Sequence, residues 1–206
     1  MKIAIIGSGH VGGALAKKWV KAGHTVLVGA RFPLSEKNIK LATEIGEDRF
    51  TTPESAVKQC EVVLISTPAP ATVEVVKSLG DTTGKIIIDA MNIVMNRGPQ
   101  GYQHTTAAIL DNTQATDVVK CFNTTGFNNM ENPAYGNHAL DLFVAGDSEK
   151  GKAAAIQLAK DAGFAECYPI GGNDKFELME QFAWFWINLA MFQGQGREIG
   201  FKLLKR

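Results

Sequence analysis

Apolar residues in this chain come in short, dense runs separated by longer stretches of helical period. Ile3 to Ile6, Thr25 to Gly29, Val62 to Ser66, Ile86 to Asp89, Val118 to Phe122 and Leu142 to Ala145 are each almost continuously apolar. Continuous rather than alternating apolarity predicts strands covered on both faces, as in a parallel sheet between two helical layers. Between them, His10 to Ala22, Leu34 to Ile45, Ala69 to Ser78 and Glu149 to Ala162 read as helices. The alternation runs on without a long polar linker, which predicts one doubly wound, mostly parallel α/β sheet.

After residue 172 the pattern changes, and the chain divides into residues 1–172 and a C-terminal helical cap, residues 173–206. Asp174 is the expected N-cap of a helix running to about Phe192, apolar on nearly every side. Such a helix is expected to be buried on all faces, by its own domain together with a partner or a bound ring. A core or homodimer interface is the plainer of these readings. Gly194, Gly196 and Gly200 then break the chain before a basic tail, Lys202 to Arg206, read as a solvated end.

The first strand runs directly into Gly7-Ser8-Gly9-His10-Val11-Gly12, and that segment opens a helix. In this context G-x-G-x-x-G is the dinucleotide fingerprint of the Rossmann fold. Gly7 permits the tight turn, Gly9 lets a diphosphate approach the backbone, and Gly12 lets the helix pack against the strand. The diphosphate would rest on the free N–H groups at the helix start. NAD-binding units usually end their second strand in Asp or Glu, whereas this one ends Val28-Gly29-Ala30-Arg31. A carboxylate there would repel the 2′-phosphate of NADP; a guanidinium pairs with it. NADP(H) is therefore the expected cofactor, with Arg31 on the 2′-phosphate and Ser35 and Lys37 as further contacts.

The chain's 206 residues suit one compact domain with a small appendage, and its composition (45% hydrophobic, 20% charged) is that of a globular protein. Basic and acidic residues balance at 21 each, so no bulk field favours nucleic acid or an anionic membrane. The apolar stretch Phe182 to Phe192 is too short to span a bilayer and carries Asn188. Cys60, Cys121 and Cys167 form no C-x-x-C pair, which argues against a disulfide framework or structural zinc. A start without a signal-peptide pattern adds to the expectation of a reduced, cytoplasmic setting.

Ligands of open α/β sheets lie across the carboxyl ends of the strands. Those ends are Ser66-Thr67-Pro68, Asp89-Ala90-Met91-Asn92 and Phe122-Asn123-Thr124. Thr67, Pro68, Asn92 and Asn123 are the candidates at the nicotinamide half, a loop-capping role being the alternative for each. No residue stands out as a catalytic acid or base. None of Tyr102, Tyr135 and Tyr168 is followed by Lys four places on, and His10, His24, His104 and His138 fall at no metal-ligand spacing. Hydride transfer between two stacked rings needs no side-chain acid or base, only alignment and exclusion of water.

At this point the chain resembles the NADPH-dependent reductases of the deazaflavin coenzyme F420. The residues that carry the likeness are Gly7 to Gly12, Val28-Gly29-Ala30-Arg31, Thr67-Pro68, Val118-Val119-Lys120-Cys121-Phe122-Asn123 and the glycine-broken segment from Met191 to Leu204. The reductase domain of the six-transmembrane metalloreductases, which passes hydride from NADPH to a flavin, is also similar, especially at residues 119–123. The resemblance implies a flavin or deazaflavin acceptor stacked on the nicotinamide under the C-terminal segment. Met191, Phe192, Gly194 and Gly196 match that wall, with Phe122 a further substrate contact. Two other readings stay open: reduction of a small imine or carbonyl, and an NADPH-binding module without turnover.

Overall fold

The computed structural model describes residues 1–33 and 35–206, with the side chain of Lys37 outside the description. In chain order the elements are β1 (Lys2–Ile6), α1 (His10–Lys21), β2 (Thr25–Gly29), α2 (Glu36–Ile45), β3 (Phe50–Thr51) and α3 (Pro53–Gln59). Next come β4 (Val62–Ile65), α4 (Thr72–Lys77), β5 (Ile86–Asp89), α5 (Thr105–Asp111), β6 (Asp117–Cys121) and α6 (Phe127–Glu131). A small hairpin of β7 (Ala134–Tyr135) and β8 (His138–Ala139) precedes β9 (Leu142–Ala145), α7 (Glu149–Asp161), β10 (Cys167–Pro169) and α8 (Phe176–Ile187).

The eight-stranded sheet has the order β10-β9-β6-β5-β4-β1-β2-β3. From β3 to β6 every pairing is parallel, in the doubly wound order 3-2-1-4-5-6. The strand β9 joins β6 antiparallel, and β10 then follows β9 in parallel. The reversal has a simple cause: the link from β6 to β9 stays at the carboxyl end of β6, so the chain must return in the opposite sense. The expected doubly wound, mostly parallel sheet is thus the observed one.

Alternate residues of the central strands feed the two helical layers. On β1, Ile3 and Ile5 face the layer of α1, α2 and α7, while Ala4 and Ile6 face α3, α4 and α5. Trp19 of α1 is fully buried and donates its indole N–H to Leu158 O of α7 at 2.9 Å, tying the first layer together. Each wholly buried Ile, Val or Leu side chain contributes about 1.5–3 kcal/mol, so the sheet is a rigid floor for the loops above it. Among the described residues, no helix is long and apolar enough to cross a membrane.

Helix α8 departs from expectation in two ways. Its N-cap is Lys175 rather than Asp174, whose carboxylate pairs instead with the Lys175 ammonium in the preceding 3₁₀ turn. Only one face is buried, through Phe176, Met179, Glu180, Ala183 and Trp186, while Leu178, Trp184 and Phe185 stand exposed. After α8 a single π turn, Asn188–Phe192, leads into irregular chain. The tail is less free than a solvated end: Asp141 takes hydrogen bonds from Leu203 N (2.8 Å) and Lys202 Nζ (3.2 Å), and Lys205 Nζ sits 4.7 Å above the Tyr168 ring.

Candidate functional site

A cleft of about 1210 Å³ runs across the carboxyl ends of the parallel strands. Its floor is the glycine turn. Gly7 holds φ +113°, and a Cβ there would meet Ser66 O at 2.9 Å, so glycine is required. A Cβ on Gly12 would sit 2.0 Å from Gly7 O, so its role is close packing behind the cleft rather than contact with a ligand. At Gly9 nothing lies within 4 Å of the Cβ position, which leaves that backbone open to the cleft. The start of α1 has no capping side chain and no acid in its first turn, so its leading N–H groups are available to an anion. Ser8, His10 and Val11 line the cleft beside them.

At the end of the cleft beside β2, Ala30 and Arg31 reach the wall. The Arg31 guanidinium reaches across to Glu74 of α4, with Nη2 2.6 Å from Oε1, and both side chains are about two-thirds exposed at 67% and 69%. Sequence spacing gave no sign of this carboxylate, which lies forty-odd residues from Arg31 in the chain but directly opposite it in space. Ser35 lines a smaller adjoining depression with Arg31, Phe32 and Pro33, and its hydroxyl does not cap α2. Lys37, expected nearby, has its side chain outside the described residues.

At the other end Thr67, Pro68, Asn92 and Asn123 come together. Asn92 and Asn123 lock the ends of β5 and β6 reciprocally: Asn92 Nδ2 donates to Asn123 O (2.8 Å) and Asn123 Nδ2 to Asn92 Oδ1 (2.9 Å). The Asn123 amide also donates to Met179 O of α8 at 3.1 Å, leaving its own Oδ1 buried without a partner. A buried acceptor of this kind costs roughly 1–3 kcal/mol until a donor reaches it, and a carboxamide N–H is a fitting one.

The facing wall is aromatic and apolar: Phe127 of α6, Trp186 and Ile187 of α8, and Met191 and Phe192 of the π turn. Of the expected wall residues, Met191 and Phe192 line the cleft. Gly194 and Gly196 do not; they take positive φ (72° and 75°) in the turn beyond it. Phe122 is a correction. It is fully buried, holds φ +64°, and packs edge-on to Trp19 at 5.6 Å on the α1 side of the sheet. The residue beside it, Asn123, is the one that turns to the cleft.

Beneath this end lies a buried polar cluster that the sequence pattern did not announce. Lys120 Nζ, wholly buried on β6, is 2.8 Å from Asp89 Oδ2, 2.9 Å from Glu180 Oε1 and 2.9 Å from Met91 O. The Thr105 and Thr106 hydroxyls donate to Asp89 at 2.6 and 2.7 Å. Glu180 Oε2 accepts from Ile93 N at 2.8 Å. The cluster bolts α8, and so the cap, to the ends of β5 and β6. The signal was a lone lysine inside an apolar strand. Beside it His104 caps α5 through Nδ1, and burial, followed by the Lys120 charge, lowers its pKa from the ordinary 6.5. A lowered pKa suits this acceptor role, which needs the neutral ring.

Among the described residues no group of three His, Cys, Asp or Glu side chains is placed to hold a metal. Tyr102, Tyr135 and Tyr168 lie off the cleft, and His10, which lines it, stacks on Phe127 with centroids 4.5 Å apart.

Residues 2–93, a little under half of the chain, match the family model described as NADP oxidoreductase, coenzyme F420-dependent. With the strand order, the fold is a domain of Rossmann type, similar over residues 2–93 to the NADP-dependent oxidoreductases of that description. The resemblance read from the sequence is borne out over that segment. Metalloreductase STEAP3 of Rattus norvegicus is 26% identical over 164 residues, covering 79% of this chain and 32% of its own length. The chain thus spans about a third of that relative. A crystal structure from Arthrobacter sp. FB24, provisionally an F420-dependent NADP reductase, superposes with TM-score 0.86 over all of both chains at 24% identity. A reductive aminase from Aspergillus terreus, solved with NADPH4, cyclohexanone and allyl amine, gives 0.65 at 18% identity, over 94% of this chain and 62% of its own. At those identities the two structures establish the fold.

Proposed function

We propose that this protein passes a hydride between NADP(H) and a planar flavin-like or deazaflavin acceptor. The observation that carries the reading is one continuous cleft with a guanidinium and no strand-end carboxylate on β2 at one end and an aromatic wall at the other. The glycine turn and the free end of α1 seat the diphosphate, and Arg31 binds the 2′-phosphate once it leaves Glu74. Thr67, Asn92 and the unpaired Asn123 Oδ1 orient the carboxamide, fixing which ring face is presented. Phe127, Trp186, Met191 and Phe192 cover the acceptor ring and exclude water. When bound, NADPH supplies the hydride and leaves as NADP⁺, and the proton that completes acceptor reduction comes from solvent.

A homodimer in the cytoplasm belongs to the same reading. The exposed Leu178, Trp184 and Phe185 of α8 are suited to a second copy of the chain, and all three cysteines are free and buried. Light scattering checks the dimer.

The test of the function is anaerobic NADPH oxidation, followed by nicotinamide absorbance, with coenzyme F420, FMN, FAD, riboflavin and a cyclic imine offered in parallel. Turnover with the tricyclic acceptors is the expected result. Turnover with the imine alone would move the assignment to imine reduction. NADPH binding without oxidation by any of them would leave a binding module.

A further inference from the structure

Resting on that reading, the wall itself holds a feature that narrows the acceptor. Among the described residues, the only charged side chain on it is Arg197, which arrives from the irregular segment after the π turn. Its Nε donates to Asn128 Oδ1 at 3.0 Å, and its guanidinium lies over the Phe127 ring at 5.0 Å and 5.9 Å from the Trp186 ring. These contacts pin the plane of the guanidinium while consuming few of its donors. A guanidinium has five N–H groups; Nε–H is spent on Asn128, and one Nη1 contact goes to the weak acceptor Met191 Sδ at 3.7 Å. Among the described residues no carboxylate lies within ion-pair distance of Arg197.

Position decides what this cation faces. His10, from the phosphate turn, stacks on Phe127 at 4.5 Å and is inclined by only 18°. Arg197 meets Phe127 as well and goes on to Trp186, at 5.9 Å, and to Met191 Sδ, at 3.7 Å. These contacts place Arg197 beside Trp186 and Met191, where the acceptor would lie. Among the described residues the one carboxylate lining the cleft, Glu74, is at the far end and engaged with Arg31. A half-desolvated, preorganised guanidinium without an anionic partner is a site for a phosphate or carboxylate.

We propose that Arg197 is a specificity residue that binds an anionic arm of the acceptor, so that the preferred acceptor is a planar ring bearing a phosphate or carboxylate rather than a neutral one. The chemistry it recognises is an oxyanion, and two sources can supply one: the acceptor and the diphosphate of the dinucleotide. Its contacts with Trp186 and Met191 favour the acceptor.

The experiment measures FMN and riboflavin binding to the NADP⁺-loaded full chain by flavin fluorescence, in wild type, Arg197→Met and Arg197→Lys, with NADPH affinity measured in each. The wild type is expected to bind FMN about tenfold tighter than riboflavin, a ratio typical of one charge-assisted contact. Arg197→Met should erase that preference and leave riboflavin and NADPH affinity unchanged; Arg197→Lys, keeping a cation without the fork, should restore part of it. Unchanged NADPH affinity also shows that the variants are folded. Equal binding of the two flavins by wild type overturns the proposal, as does a Met variant that loses NADPH affinity instead, which would assign Arg197 to the dinucleotide. If riboflavin is reduced as well as FMN with no binding preference, the proposal fails and the hydride-transfer reading survives. With a preference for FMN but no turnover, the anion site stands and hydride transfer falls, and no flavin binding at all overturns both.

Discussion

At the glycine turn the cleft is supplied by one short stretch of chain, residues 6–11, whereas its opposite wall is assembled from residues 123–127, 183–192 and 197. The first is held in shape by what glycine lacks: a Cβ at Gly7 or Gly12 would strike main-chain oxygen. The second is held from beneath by the buried cluster of Lys120, Asp89 and Glu180. A backbone site tolerates no substitution at a few positions and is indifferent elsewhere. A side-chain wall can change residue by residue provided its anchor survives.

The sharpest way to separate the two regions is to remove the anchor. Lys120→Ala leaves two buried carboxylates facing each other, and loss of one partner of a buried ion pair costs about 3–5 kcal/mol. The loss should appear in denaturant unfolding, with faster proteolysis after α8 as a local sign. Unchanged stability would show that the cap does not depend on the cluster.

A smaller effect, confined to the nucleotide half, is expected from Arg31→Ala. Losing a charge-assisted contact to the 2′-phosphate should weaken NADPH by about 1.5–3 kcal/mol, roughly 10- to 150-fold, and leave NADH alone. Equal loss for both cofactors in fluorescence titration would remove the 2′-phosphate role. Gly12→Ala should cost about 1–3 kcal/mol of stability through overpacking and weaken both dinucleotides alike, because it displaces α1 rather than any one contact. Isothermal titration of the two cofactors checks that symmetry.

The smallest expected effect is at Glu74. Its pair with Arg31 is exposed and worth at most about 1 kcal/mol, yet on the proposed reading it has to open before a 2′-phosphate docks. Glu74→Gln should therefore tighten NADPH by about two- to fivefold without helping NADH. Weaker NADPH binding in that variant would mean that the carboxylate assists the cofactor instead of competing with it.

The same contrast explains what could be read in the sequence. The doubly wound sheet's six longer strands and the glycine turn were legible because local patterns mark them, as Ile3 to Gly12 is strand, turn and helix start in ten consecutive residues, whereas the short β3 and β10 were not. Helix α3 was also legible in principle, from Thr52 capping Ser55 N and Pro53 in its first turn, though its seven residues carry too little periodicity to stand out. The reversal of β9 was not legible, because an apolar tetrapeptide such as Leu142 to Ala145 reads the same in either direction. Nor was the wall. Phe122 and Asn123 are neighbours, and only the left-handed backbone at Phe122 decides that the amide, and not the ring, faces the cleft. Glu74, Glu180 and Arg197 become partners of Arg31, Lys120 and Phe127 only after folding.

Gly126 precedes α6 and has no side chain, and the space a Cβ would occupy is 2.6 Å from Cη2 of Trp186. The indole rests directly on that backbone, with its N–H held 2.7 Å from Ile199 O. One added methyl group would have to push the indole outward, and the roof of the cleft would come with it. The gap beneath this wall is thus set by a residue with no side chain to offer a ligand. A single-codon change at this position is a short route to a differently shaped wall, with Gly7, Gly9 and Gly12 of the opposite side left as they are.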